Sequence, residues 1–243
     1  MKRAAEIVRR LIALEFRSLA GIARWAARRP HRVGPGAHAA PYTGPQTAML
    51  YGLLFVAVVE TVALAALIPW PVVHLIALVL DVYTVLMVLG LHAGCVTRPH
   101  VAGPDGSLRI RYGVLFDLRI PAGLIAAVRV DRRYPDGGLL QYDAGNGEYD
   151  AGSGEHDAGN GEADGGTLDL VVGSQTSVRV ELATPVPFVR PLGATGRARV
   201  IRFHADHPEE LVKVLRSRKA TEKVREGARK EPGEEGTAPV HLR

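Results

Sequence analysis

The sequence predicts a membrane α-helical hairpin joined to a cytoplasmic antiparallel β domain, a sheet or barrel with a C-terminal helix. Three observations carry the hairpin and the strands. Two apolar runs, Ala48 to Ile68 and Val72 to Cys95, are separated only by Pro69, Trp70 and Pro71. Arginine crowds the flanks of this pair and is missing from its turn. Beyond Arg98 the hydrophobic period changes from helical to twofold.

Taken in order, the first element is residues 1–29. Arg3, Arg10, Arg17 and Arg24 recur every seven residues with Arg28 close to the same side, while Ala4, Val8, Ile12, Leu19 and Ile22 fall opposite at about 100° per residue. A helix with one apolar and one cationic face lies in the plane of a membrane surface, its arginines among anionic head groups. The same faces also suit packing on the rest of the protein or on a second copy. Pro30 ends the helix, and the Gly, Pro and His content of residues 30–47 reads as a linker.

Residues 48–95 form the hairpin, with its turn at 69–71. Each apolar run reaches the roughly 20 residues that a helix needs to cross about 30 Å of hydrocarbon, where the backbone has no water to bond and must satisfy itself. Lys and Arg near spans stay on the cytoplasmic side. Lys2, Arg3, Arg9, Arg10, Arg17, Arg24, Arg28, Arg29 and Arg32 precede the first span, and Arg98, Arg109 and Arg111 follow the second, so both termini are expected in the cytoplasm of a cytoplasmic-membrane protein. The first run begins too far from Met1 for a cleaved signal peptide.

Ionisable residues inside spans are costly and face protein or water. Glu60 and Asp81 lie about 12 and 15 Å from the outer ends of their spans at roughly 1.5 Å per residue, so their depths nearly match. Two such carboxyls resist ionising together unless a partner compensates, and His74 shares a helical face with Asp81. The set makes either a polar clamp between helices or protomers, or, in an oligomer, a proton or cation relay. Gly90 and Gly94 form a small-xxx-small pair for close helix packing. His92 reads as an interfacial histidine. Cys95, the single cysteine, excludes an internal disulfide and reads as a packed thiol, with lipidation as the alternative.

Residues 96–218 alternate. Leu108, Ile110 and Tyr112 are interleaved with Arg109 and Arg111, Gly113 permits a turn, and Leu115 to Ile120 returns. Ile125 to Val130, Leu168 to Val172, Val178 to Leu182 and Val200 to His204 read as further strands, with Pro185 to Val189 left open. Asp206 or His207 then caps a helix that starts at Pro208 and buries Leu211, Val212 and Leu215. The hairpin, the segment Val96-Thr97-Arg98-Pro99-His100, the strand pair, the turn Ile120-Pro121-Ala122-Gly123-Leu124-Ile125 and the final strand and helix together resemble bacterial two-pass membrane proteins with a pleckstrin-homology-like domain. That resemblance implies a binding or scaffolding domain and carries over no catalytic residues.

Within 141–166 one heptapeptide is repeated, as Tyr142 to Glu148, Tyr149 to Glu155 and His156 to Glu162. Alternating Asp and Gly invite a calcium reading. No apolar residue locks the copies into a stack, so a disordered acidic insertion is expected, with residues 219–243 as a disordered tail.

With 243 residues and a net charge of +5, the chain has room for the hairpin and one modest domain whose anionic partner is a lipid leaflet rather than a nucleic acid. A second copy or another membrane protein is the further partner. His100, His204 and His207 are scattered, and no nucleophile or carboxylate forms a recognisable catalytic or metal set with them; no cofactor is expected. The reading is a non-enzymatic binding or scaffold protein, with a conduit built on Glu60, His74 and Asp81 as the alternative.

Overall fold

Proline marks where each long helix begins. Pro45, Pro71 and Pro208 each sit in a first helical turn, where a missing N–H costs nothing and the fixed φ suits the helix. The computed structural model describes residues 9, 20–27, 31, 33–67, 70–144, 165–191 and 193–230. In it α1 (Gly44–Leu67) and α2 (Pro71–Val96) pack side by side. Half-buried residues recur at helical spacing, Leu54, Ala57, Thr61 and Leu64 on α1 and His74, Ala77, Asp81, Val85 and Val88 on α2, and these define the seam between the helices.

Away from that seam the hairpin is bare. Phe55, Val58, Val62, Leu67, Val72, Leu75 and Leu80 are all more than half exposed. A soluble domain rarely leaves a continuous apolar surface of that extent uncovered. Both helices are long and apolar enough to cross a membrane. The exposed stretch from Tyr51 to Leu67 is roughly 25 Å long at about 1.5 Å per residue, close to the hydrocarbon thickness.

Among the described residues nine strands form the domain. The first sheet has the order β1 (His38–Ala40), β2 (His100–Ala102), β3 (Leu108–Tyr112), β4 (Phe116–Ile120), all antiparallel. The remaining five strands are β5 (Ile125–Arg133), β6 (Leu140–Asp143), β7 (Gly166–Leu170), β8 (Thr176–Val189) and β9 (Thr195–Phe203). Their order in the second sheet is β5-β8-β9-β7-β6. Their inward residues, among them Leu108, Ile110 and Ile120 from one sheet and Leu168, Val180, Ile201 and Phe203 from the other, meet in one core. The helix α3 (Pro208–Lys230) closes that core with Leu211, Val212 and Leu215.

The structure departs from the sequence reading at several elements. The segment 30–47 is more than a linker, because β1 lies in it and α1 starts at Gly44, before Ala48. The sheet is not wholly antiparallel: β7 runs parallel to β9. Side-chain alternation carries no strand direction, and here β9 returns from β8 into the space between β8 and β7. Residues 141–143, assigned to the insertion, belong to β6, and Gly166 opens β7. Pro185 to Val189 is the outer part of β8, beyond an irregularity between Glu181 and Val186. The last helix continues to Lys230, past the expected start of the tail at Lys219. Residues 145–164 of the insertion, with the rest of the repeat, and residues 231–243 lie outside the described residues, as do Arg3, Arg10, Arg17 and Arg28.

Asp143 pairs with Thr167, so the chain leaves and re-enters the sheet at neighbouring positions. Replacing residues 145–164 by Asn-Gly should therefore preserve the fold and raise stability by on the order of 1 kcal/mol, the closure entropy of a shorter loop. Thermal unfolding of the detergent-solubilised variant measures this. A marked loss would show that the repeat packs on the domain.

Candidate functional site

The hairpin leaves and re-enters the domain through adjacent strands. β1 precedes α1 and β2 follows α2, and the two pair as His38 with Ala102, Ala39 with Val101 and Ala40 with His100. Both membrane helices are thus the connection of one antiparallel strand pair. Asp206 reinforces the join. Its carboxylate accepts the Gly44 N–H at 3.0 and 3.3 Å, placing an anion at the positive end of α1, and its own N–H donates to Pro41 O at 2.8 Å. The sequence offered Asp206 or His207 as the cap of α3, the helix next to them in the chain; the Asp206 carboxylate caps α1 instead.

Beneath this join lies a buried polar cluster. His100 is fully buried, and its Nδ1 accepts the Arg111 N–H at 3.0 Å, so the proton must sit on Nε2, which donates to His204 O at 2.9 Å. Burial pulls its pKa down to about 3, since the charged ring would lose its hydration and would aim a second donor at the Arg111 N–H. Tyr42 stacks on the ring at 4.5 Å and its hydroxyl accepts the Gly113 N–H at 2.8 Å; burial pushes the phenol well above its ordinary value. Arg111, 1% exposed, donates through Nη1 to His31 O at 2.8 Å. His204 lies 3.3 Å from the Asp206 carboxylate, and burial lowers its pKa against that carboxylate's opposing pull. Of the three histidines that looked scattered in the sequence, His100 and His204 meet here, while His207 stays outside on the surface.

The last turn of α2 is embedded in the same cluster. Cys95 is buried, as the packed-thiol reading requires, and Gly113, at φ +49°, lets the β3–β4 turn lie against it: a Cβ there would come within 3.0 Å of the sulfur. Gly90 and Gly94 are used for close packing, but by the N-terminal helical segment. A Cβ on Gly21 would lie 3.2 Å from Gly94 N and 3.5 Å from Gly90 O, and Trp25 meets His92 edge to face at 6.2 Å. His92 is accordingly buried. Arg24 is half-buried on the same segment.

Inside the hairpin the structure brings Asp81 to Thr61, whose hydroxyl is 2.9 Å from Asp81 Oδ2 and 2.9 Å from Ala57 O. His74 faces the same seam two turns away. Glu60, matched to Asp81 by depth in the sequence, lies one residue off the seam and is exposed.

A further group was missed by sequence reasoning. On the outer face of the second sheet Arg129, Arg179 and Arg202 stand opposite one another on neighbouring strands, with Asp169 next in the row. Like charges so placed repel, and the repulsion is offset by interleaved acids: Glu181 lies 2.9 Å from Arg179 and 3.4 Å from Arg129, and Asp169 lies 3.3 Å from Arg202. Burial raises the Asp169 pKa, against the pull of Arg202. The polar positions of the strand alternation carry this signal, since Arg179 and Glu181 are two residues apart. Comparison with protein-family models, with curated proteins and with solved structures gives no match for this chain.

His100 is neutral in the fold and charges more readily when unfolded, so the unfolded state binds the extra proton between about pH 6.5 and 3. Its stabilising contribution is complete above pH 6.5 and falls as pH drops through that window, by up to about 1.4 kcal/mol per unit. Thermal unfolding from pH 7 to 4 should show this slope, and His100→Gln should flatten it. In the seam, Thr61→Val keeps shape but strips the hydroxyl from Asp81. It should weaken the hairpin by about 0.6 to 2 kcal/mol, with Thr61→Ser close to wild type, read from unfolding in lipid micelles.

Proposed function

We propose that the chain is a membrane-anchored, non-enzymatic binding or scaffold protein that holds a PH-like domain at the cytoplasmic surface of the cell membrane. The observation that carries this reading is the β1–β2 pair bracketing the hairpin. A flexible tether would let a domain swing, whereas two membrane helices that form the connection of a paired strand hold it at one height and orientation. Such mounting suits a module that meets ligands at the membrane surface: anionic head groups, a membrane partner or a second copy.

Two packed sheets closed by a C-terminal helix support the PH-like assignment, and the strand before the hairpin and the parallel β7–β9 pair are departures from it. The arginines flanking the hairpin support cytoplasmic termini. The conduit alternative places Glu60, His74 and Asp81 along a proton or cation path. The Thr61–Asp81 contact favours a clamp, because it occupies Asp81 within its own hairpin.

Reporter fusions test the placement: one after Arg243 should read cytoplasmic and one at Trp70 external. Purified protein in liposomes should give no proton flux above empty vesicles. Reproducible flux lost in Glu60→Gln, with assembly unchanged, would replace the scaffold reading by the conduit.

A further inference from the structure

Outside the lipid-facing stretch of the hairpin and its turn, the exposed large apolar side chains among the described residues are Trp25 (41% exposed), Met49 (65%), Val96 (38%), Tyr134 (74%) and Val189 (55%). All but Val189 lie at one end of the β domain. Val96 ends α2, and Trp25 packs on His92 of the same helix. Tyr134 reaches that end through the sheet. Arg133 pairs with Thr176, which follows the turn at Gly173, and a Cβ on Gly173 would lie 2.5 Å from the Pro45 side chain in the first turn of α1. Arg132 is ion-paired with Glu209 in the first turn of α3, shortly after the Asp206 that caps α1. The segment between β5 and β6 therefore sits beside the base of the hairpin.

Its conformation is pinned. Gln141 Nε2 donates to both Asp136 O and Gly138 O at 3.2 Å, and Leu139 O accepts the Val171 N–H at 2.8 Å. A held turn thus presents a tyrosine that makes little contact with the domain. Tyr, with an apolar ring and a polar tip, is enriched where hydrocarbon gives way to head groups, as is Trp. The first seven residues of α1, Gly44 to Leu50, separate its start from the exposed span, which puts the domain end roughly 10 Å from the hydrocarbon, within the head-group layer, at about 1.5 Å per residue.

We propose that Tyr134 is an interfacial anchor, inserted in the head-group layer of the bilayer beside the hairpin, and that with Trp25 it fixes the tilt of the domain on the membrane. This rests on the hairpin being transmembrane. The two charges flanking the turn, Arg132 and Arg133, are matched by Glu209 and Asp131, so the contact depends on the aromatic ring and not on lipid charge.

The test places a thiol-reactive, polarity-sensitive fluorophore on the full-length protein at Tyr134→Cys, Val189→Cys or Phe55→Cys, in liposomes of phosphatidylcholine and phosphatidylglycerol. Cys95 is 1% exposed and does not compete for label in the folded protein. With nitroxide at the head-group level, the label at 134 should lose most of its emission and the label at 189 should keep it. With nitroxide deep in the acyl chains, the label at 55 should be quenched. If 55 is quenched and 134 behaves like 189, the anchor is refuted while the hairpin stands. If 55 is not quenched, the transmembrane reading fails and the anchor with it.

Discussion

The three-residue ladder between β1 and β2 is the constraint on which the rest of the architecture depends. Strands in a ladder lie about 5 Å apart, and packed helices 8–10 Å apart, so a strand pair can feed a helix pair directly with three residues of divergence at each side. Pro41, Tyr42 and Thr43 on one side and Thr97, Arg98 and Pro99 on the other supply it, which is why Tyr42 and Thr97 are buried although they lie between elements. The arrangement also couples insertion to folding. β1 precedes the hairpin and its partner follows it, so the first sheet completes only after both helices are made.

What keeps this join from being merely apolar is the hydrogen-bonded cluster below it. A neutral His100 with both ring nitrogens engaged specifies one register of β3 against the strand end of β9, because each partner is a single backbone group. An apolar residue of similar size would fill the space and leave the Arg111 N–H and the His204 carbonyl without those bonds, at a cost of roughly 1 to 3 kcal/mol for each buried group. The cluster therefore fixes geometry where the domain meets the hairpin, and the fixed orientation on which the scaffold reading relies rests on it.

Local signals in the sequence were sufficient for the elements that announce themselves locally. The hairpin is legible because nothing but a helix satisfies an apolar run of that length, and α3 because Pro208, Glu209 and the Leu211, Val212, Leu215 stripe agree with one another. β1 and β2 were not, since His38–Ala40 and His100–Ala102 are three residues each and too short to show a period. Asp206, one of two candidate caps with His207, carried a true signal for another recipient: proximity in the chain suggested α3, and proximity in space gives its carboxylate to α1. Asp81 and Glu60 were matched by depth alone. Depth does not say which side of a helix faces the seam, and one residue of helix rotation, about 100°, separates Thr61 inside it from Glu60 outside.

The two ends of the domain are under different constraints, and the repeat lies where the constraint is weak. At the hairpin end the connections are short and bonded: the Gly173–Ser174 turn has both residues at positive φ and bridges Val172 to Gln175, and the β5–β6 turn is held by Gln141. β6 starts at that end, with Leu140 opposite Leu170, and finishes at Asp143, opposite Thr167, at the end remote from the hairpin. The outer tip of β8 and β9 is at that same far end, with Tyr142 of the first repeat copy packed on Phe188 and donating to Arg197 O at 2.9 Å. The first copy is thus partly structural through its tyrosine. The further copies of the heptapeptide lie between strand ends that are already paired, Asp143 with Thr167, so added length there costs little closure entropy.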